Sequence, residues 1–269
     1  MTDSNILTVN ETPAFSSRIK SMLKLDFYRL FHTPALYIML AIAAIIPAMV
    51  LSLAEADYSP PPGTSVTASM AEIPGYTNTW QLIESTGGSA VAENPLDFAG
   101  FANINMVFIF AGLLMSIFVA HDYMSGFVKN IFTVHSRKID YVVSKTAAGI
   151  FGGTGMILTY VLGAVFSGLL TGKAFSVNAG GLIMCLVSKM LLMGVFCSLF
   201  LCIAAFFRNR LWLTITFTFL LGMVFYPAAS IATLNSTIIT VLISLAAGAC
   251  GSVIFGAIST LILNRRDLA

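Results

Sequence analysis

The chain has 269 residues, of which 57% are hydrophobic and 10% are charged, and its mean hydropathy is +0.89. Soluble domains carry about 25% charged residues, so this chain has too few polar side chains to cover a soluble surface. We therefore predict an integral membrane protein with a single domain of membrane-spanning helices. The four cysteines lie inside apolar runs without a CxxC pair, which favours free thiols over disulfides or a metal site.

The first patterned segment is amphipathic and basic. Between Phe15 and Phe31, apolar residues recur at helical spacing, and the cations Arg18, Lys20, Lys24 and Arg29 fall among the remaining positions. This pattern predicts an elbow helix that lies in the membrane interface with its cations near anionic headgroups. A basic extension of the first span is the alternative. The preceding residues predict a short tail without a cleavable signal peptide.

Six apolar runs follow, and a membrane span needs about 20 residues. The predicted spans are residues 34–53, 101–120, 146–170, 182–207, 211–225 and 238–263. Small residues in the third and sixth spans, Gly248 and Gly256 among them, predict close helix packing within the bundle in preference to a dimer seam.

Two connections between the spans are unusual. Residues 54–100 contain six Asp and Glu residues and no Lys or Arg, and they predict a long external loop with helical turns near Val66 to Ile73 and near Thr79 to Ile83. Residues 226–237 are weakly apolar, uncharged and contain a proline. Such a linker is predicted to re-enter the membrane where protein surrounds it.

The distribution of positive charge sets the orientation. With both termini in the cytoplasm, 12 of the 14 Lys and Arg residues lie on the cytoplasmic side, and only Lys173 lies outside and Lys189 within a span. The positive-inside rule selects this orientation. The cytoplasmic set is Arg18, Lys20, Lys24, Arg29, Lys129, Arg137, Lys138, Lys145, Arg208, Arg210, Arg265 and Arg266.

The longest basic interruption is the cytoplasmic loop at residues 121–145. Ser125 and Gly126 break the chain after the second span, and residues 127–132 then predict one or two short amphipathic turns. After a second break, Ser136 is a suitable N-cap for a helix that starts at Arg137 and runs into the third span. The adjacent pair His121 and Asp122 is interpreted as a cap on the second span.

The spans themselves offer little chemistry. A phosphate-binding loop is missing, since the nearest approach, Gly168 to Ala174, is one residue short and lies on the external side. The predicted spans hold no Asp, Glu or His, so an intramembrane enzyme or an ion-coupled transporter is not favoured. Lys189 is the one ionisable residue in a span. It either snorkels or makes an interhelical hydrogen bond, or it lines a substrate path.

The loop resembles a known family. The run Asp122-Tyr-Met-Ser-Gly126-Phe-Val-Lys129-Asn130 is similar to the acidic-x-x-x-G-[ST/aromatic]-x-[KR]-[NQ] run of ABC-type-2 exporter permeases, in the group that includes bacteriocin- and bacitracin-resistance permeases. The basic elbow before the first span and the Ser136-Arg-Lys138 helix start match the same pattern. The resemblance covers nearly the whole chain in topology, but in residue terms only this loop is distinctive.

The resemblance implies a role for the loop and for a partner. The turns at about Ser125 to Val134 would be a coupling helix that docks on a separate ATP-binding subunit, which would also bind ATP and Mg, so that this chain binds no cofactor. Two ATP-binding subunits and two permease chains, identical or sister chains, would form the transporter, with residues 226–237 as a gate. The predicted coupling residues are Ser125, Gly126, Phe127, Val128, Lys129, Asn130, Ile131 and Phe132.

Three functions compete at this point. The first is a permease in a plasma membrane, of bacterial type, that moves an amphipathic or hydrophobic substrate such as a peptide antibiotic, lipid or drug outward. The second is a non-transporting immunity or sensor protein whose acidic loop 54–100 captures a cationic peptide. The third, a membrane enzyme, lacks a candidate nucleophile, base or metal cluster. Nothing in the sequence indicates nucleic-acid binding.

Overall fold

The computed structural model describes residues 15–56, 78–83, 103–134, 137–208 and 210–265. The N-terminal tail, most of the predicted external loop and Ser136 with its predicted cap lie outside these ranges. Within them the chain is helical, and the extended backbone that pairs there is one isolated bridge between Asn78 and Ala174.

Ten helical elements follow one another in the described ranges. They are α1 (Phe15–Phe31), α2 (Pro34–Ala56), the 3-10 helix η1 (Thr79–Leu82), α3 (Met106–Met124), α4 (Phe127–Val134), α5 (Lys138–Leu170), α6 (Ala179–Phe207), α7 (Leu211–Phe225), the 3-10 helix η2 (Tyr226–Ile231) and α8 (Ile238–Arg265). Six segments are long and apolar enough to cross a membrane: α2, α3, α5, α6, α7 together with η2, and α8. This is the architecture of a multi-pass membrane protein.

Some helix ends differ from the predicted span ends. Helix α3 continues past residue 120 to Met124. Helix α5 begins at Lys138, next to the helix start predicted at Arg137, and runs without a break through the predicted span 146–170. The interval 121–145 is therefore mostly helical, with α4 as a short helix between two longer ones. Three charged residues in these extensions, Asp122, Asp140 and Lys145, are buried and have charged partners inside the protein.

Helix α3 occupies the centre of the bundle. It contacts α2, α5, α6 and α7, and 72% of its apolar segment is buried, compared with 11% in α8. The buried rings of Phe108 and Phe196 lie 4.6 Å apart at the α3–α6 contact. Ser116 and Thr218 share a hydrogen bond of 2.6 Å that joins α3 to α7. The contact between these two helices therefore contains a buried hydrogen bond among its apolar side chains.

Helices α6 and α8 make the most extensive contact in the bundle. A Cβ atom on Gly248 of α8 would lie 2.5 Å from the carbonyl oxygen of Leu191 in α6. The two backbones can approach this closely because Gly248 has no side chain. The close packing predicted for the sixth span is therefore found between these two helices of the same chain.

The two ends of the bundle differ in character. We call the end that holds α4 the α4 end and the opposite end the η2 end. At the η2 end, η1 forms where helical turns were predicted, and the amide of Thr79 donates to the carbonyl of Ala174 at 2.9 Å. The indole of Trp80 donates to the carbonyl of Phe175 at 3.2 Å, which ties η1 to the connection between α5 and α6.

Candidate functional site

A network of buried ion pairs holds the α4 end together. Lys145 of α5 forms ion pairs with Asp26 of α1 and Asp122 of α3, with Nζ–Oδ distances of 2.7 and 2.6 Å. Arg29 of α1 pairs with Asp122 at 2.6 Å, and Arg18 of α1 pairs with Asp140 of α5 at 2.9 Å. Three helices that are distant in sequence are therefore joined by charge.

The network is enclosed by protein. The side chains of Lys145 and Asp122 are 0% exposed and that of Asp26 is 1% exposed. Three cations, Arg18, Arg29 and Lys145, face three carboxylates, so the ionised groups balance. A buried charge without its partner is strongly destabilising, and the position of α1 on the bundle therefore depends on all three helices.

Two of the carboxylates also accept hydrogen bonds from neutral hydroxyl groups. The hydroxyl of Tyr141 donates to Oδ2 of Asp122 at 3.0 Å, and the hydroxyl of Ser144 donates to Oδ2 of Asp26 at 2.6 Å. Both donors come from the first turns of α5, next to Lys145. One helix end thus supplies a cation and two hydroxyl groups to acids on two other helices.

Aromatic rings connect the network to α4. The Lys145 ammonium lies 3.7 Å from the ring centroid of Phe118 in α3. The Arg29 guanidinium lies 3.8 Å from the ring centroid of Phe127, the first residue of α4. Cations at such distances are attracted by the ring faces. Movement of α4 therefore acts directly on a cation that also binds Asp122.

Helix α4 turns its apolar side toward the bundle. Val128 is 1% exposed, and the ring of Phe132 meets the ring of Tyr141 edge-on at 5.6 Å. Phe127, Ile131 and Phe132 are half-buried, whereas Lys129, Asn130 and Thr133 are exposed. Of the residues predicted to couple to a partner, the apolar ones thus pack inward and the polar ones face away from the bundle.

The break before α4 depends on a glycine. Gly126 has φ +71°, a left-handed conformation that favours glycine over residues with a Cβ atom. Ser125, which is exposed, precedes it as the residue after α3. The predicted chain break at Ser125 and Gly126 is therefore the turn that lets α4 fold back under Arg29.

The four cations predicted to face lipid headgroups divide into two pairs. Lys20 and Lys24 are exposed, and their contact with headgroups stays a prediction. Arg18 and Arg29 point into the bundle, with 10% and 19% of their side chains exposed. The prediction is wrong for these two because Asp140 and Asp122, which belong to other helices, bind them.

The sequence reasoning missed Asp26 and misinterpreted Asp122. Asp26 lies at four-residue spacing between the buried residues Met22 and Leu30, so it sits on the apolar face of an amphipathic helix. An acid in that position is a signal that the sequence contains, because it needs a buried cation as partner. Asp122 is not a helix cap: it is fully buried and binds two cations.

Lys189 lies at a separate polar contact near the η2 end. Its ammonium donates to Oδ1 of Asn105 at 2.6 Å and to the carbonyl of Ala229 in η2 at 3.1 Å. The amide of Asn105 in turn donates to the hydroxyl of Ser230 at 3.2 Å. Lys189 is 0% exposed, so it makes the predicted interhelical hydrogen bond and does not snorkel, while its position on a substrate path stays a prediction.

Comparison of the chain with protein-family models, with curated proteins and with solved structures gave no match. The fold and the site therefore define the class by themselves: an all-helical, multi-pass membrane protein. Its particular features are the ion-pair network (Arg18, Asp26, Arg29, Asp122, Asp140 and Lys145) and the short helix α4 packed against it.

Proposed function

We propose that this chain is the permease subunit of an ATP-binding-cassette exporter, which moves an amphipathic or hydrophobic substrate outward with ATP hydrolysed by a separate subunit. The proposal starts from the resemblance of residues 122–130 to the loop of such permeases. The observation that carries it is the attachment of α4, which presents Lys129, Asn130 and Thr133 outward while Phe127 packs under Arg29.

The packing of α4 against the bundle suits a helix that an ATP-binding subunit moves. A force on α4 passes through Phe127 to Arg29, and from Arg29 to Asp122 and Lys145. Buried ion pairs and packed rings resist local deformation, so α1, α3 and α5 respond together. In this proposal α1 is the elbow helix at the cytoplasmic membrane surface, and α4 is the coupling helix.

The transporter would contain two permease chains and two ATP-binding subunits, and ATP and Mg would be held by the latter. Residues 226–237 would form the outer gate. Lys189 supports this part of the proposal because it ties η2 to α6 and, through Asn105, to the start of α3. Lys189 would meet a substrate only after η2 moves away from it.

The test is co-purification of the tagged full-length chain from its native membrane in mild detergent, followed by mass spectrometry. We expect an ATP-binding subunit at about one copy per chain. The double variant Lys129→Glu/Thr133→Glu places two acids on the exposed face of α4, which otherwise carries the cation Lys129. It should lower recovery of the ATP-binding subunit by about tenfold or more, since a partner complementary to that cation would then meet like charge. Recovery of the chain without an ATP-binding subunit, in several detergents, would contradict the proposal.

A matched control makes the result specific. Lys20→Glu/Lys24→Glu changes two exposed cations on α1 and should leave recovery of the ATP-binding subunit unchanged. Substitutions of Phe127 or Ile131 are unsuitable as interface probes because both side chains are half-buried against the bundle. They would alter folding and docking together.

The alternative function, capture of a cationic peptide by the acidic loop, stays a hypothesis. The loop acids from Asp57 to Asp97 lie outside the described residues. Deletion of residues 64–91 distinguishes the two functions: a capture protein loses peptide binding and protection, whereas a permease with an intact α4 keeps its ATP-binding partner. Unchanged substrate handling after the deletion would exclude capture.

A further inference from the structure

Helices α5 and α8 leave a groove between them that opens to the outside of the bundle. Its volume is about 680 Å³, within the range of about 300–1,000 Å³ that is usual for small-molecule sites. Val253 and Leu261 of α8 line it and are 71% and 57% exposed, and Val143 of α5 is 40% exposed. The groove therefore faces the space that lipid fills.

Small residues account for the groove. Ala147 of α5 and Gly256 and Ala257 of α8 are among its lining residues. At Gly256 the nearest atom to an added Cβ would be Cγ1 of Val142, at 3.7 Å. This spacing contrasts with the tight approach of α8 to α6 at Gly248. One side of α8 is closely packed, and the other leaves room for a chain-like apolar ligand.

The lining of the groove is mostly apolar, with the hydroxyls of Thr146, Ser252 and Thr260 as its polar side chains. Two cations lie just beyond the lining residues at its α4 end. The ammonium of Lys138, in the first turn of α5, donates to the carbonyl of Leu263 in α8 at 2.5 Å and so bridges the two helices. Arg265 follows Leu261 by one helical turn on the same face of α8, and it is exposed. The residues that line the groove include no carboxylate.

We propose that this groove is a binding site for an acidic phospholipid, with an acyl chain between α5 and α8 and the phosphate near Lys138 and Arg265. Basic pockets between membrane helices recognise anionic headgroups in this way. An apolar groove next to two cations favours a ligand that has both an acyl chain and a negative charge. A neutral lipid would leave the two cations without a counter-charge, and free phosphate would leave the groove unfilled.

A second copy of the chain is a poorer occupant on the same grounds. In a shared membrane both copies point their α4 ends the same way, so a copy packed in this groove brings its own Lys138 and Arg265 to the same level. When the two grooves face each other, these like charges lie at the same contact. The proposal does not depend on the transport function, since it uses only the helical bundle and its charges.

The experiment measures lipid retention by the purified full-length chain, with any subunits that accompany it. The chain is delipidated in detergent and then titrated, under native mass spectrometry, with phosphatidylglycerol or phosphatidylcholine of identical acyl chains. We expect a preference for phosphatidylglycerol of about tenfold or more, because each cation near the headgroup favours an anionic lipid several-fold. Equal retention of the two lipids would overturn the proposal.

Three variants locate the site. Lys138→Gln/Arg265→Gln should abolish the preference, and the glutamine at 138 still offers an N–H donor to Leu263. Lys129→Gln/Arg210→Gln removes the same charge from two exposed positions elsewhere on the protein and should keep the preference. Gly256→Leu should fill the groove and lower retention of both lipids. Size-exclusion chromatography verifies that each variant is folded. If Gly256→Leu does not fold, the two charge variants alone test whether the groove binds the acidic lipid.

Three further outcomes contradict the proposal. Equal loss of preference in the two charge variants would assign the effect to general surface charge. Displacement of phosphatidylglycerol by inorganic phosphate at similar concentration would indicate a site for phosphate alone. A change of oligomeric state in Gly256→Leu, with lipid retention unaltered, would show that a second copy covers the groove.

Discussion

The Nζ atom of Lys145 lies 2.6 Å from Oδ2 of Asp122, and both side chains are fully buried. The same ammonium binds Asp26 at 2.7 Å. One cation from α5 therefore neutralises an acid from α1 and an acid from α3. Since the buried groups have no access to bulk water, each of them depends on the others remaining in place.

Lys145→Met should strongly destabilise the bundle. The substitution leaves Asp26 without the cation that it binds and Asp122 with Arg29 alone, and removal of one partner from a buried ion pair costs about 3–5 kcal/mol. We expect a large fall in the apparent melting temperature in detergent, with α1 released first in hydrogen-exchange measurements. Lys129→Met, an exposed control on α4, should leave the melting temperature within error. Similar values for the two variants would contradict the role of the network.

The contact between Lys189 and Asn105 should appear as an energetic coupling. Asn105→Leu leaves a buried ammonium with one fewer acceptor, whereas Lys189→Met removes the charge and keeps an apolar chain of similar length. We expect Asn105→Leu to be the more destabilising by about 1–3 kcal/mol, and the double variant to be more stable than the sum of the single effects implies. Additive changes in the free energy of unfolding would show that this hydrogen bond contributes little.

Two glycines of α8 should respond differently to the same substitution. Gly248→Ala places a Cβ atom 2.5 Å from the Leu191 carbonyl oxygen, and overpacking of this kind costs about 1–3 kcal/mol. Gly256→Ala meets its nearest atom at 3.7 Å and should be neutral or slightly stabilising, since alanine favours helix by about 1 kcal/mol over glycine. Melting temperatures of the two variants provide the comparison. Equal stability would contradict the close α6–α8 approach.

Cysteine labelling tests the orientation. In a background without the four natural cysteines, Lys129→Cys on α4 and Ala174→Cys between α5 and α6 place thiols at exposed positions on opposite ends of the bundle. With the α4 end in the cytoplasm, a membrane-impermeant maleimide added to intact cells should label position 174 and not position 129. Disrupted cells should show labelling of both. The reverse pattern would invert the topology derived from positive charge.

Some elements were predictable because their signals are local. Helices α1 and α7 occupy the predicted ranges 15–31 and 211–225, since an amphipathic or a continuously apolar run identifies a helix without reference to the rest of the chain. The prediction of span starts was poorer where charged residues occur. Residues 138–145 belong to α5, as the predicted helix start at Arg137 implied, but the predicted span began only at residue 146 because Asp140 and Lys145 are charged.

The same distinction applies to the site. Asp26, Asp122 and Lys145 are spread over three helices, and their pairing depends on how those helices pack, which composition and spacing do not specify. Local chemistry did indicate the turn at Gly126 and the amphipathic character of α4, because both depend on neighbouring residues only. Which side of α4 meets the bundle was decided by Arg29 and Tyr141, which come from other helices.

The amino-acid sequence by itself determined that this is a membrane protein, how many apolar helices it has and where its positive charges lie, because hydrophobic length and charge are properties of contiguous segments. Only the tertiary structure decided which charges face solvent and which are buried. An ionised side chain is stable inside the bundle only when a partner of opposite charge is brought within hydrogen-bonding distance, and the packing of α1, α3 and α5 brings those partners together.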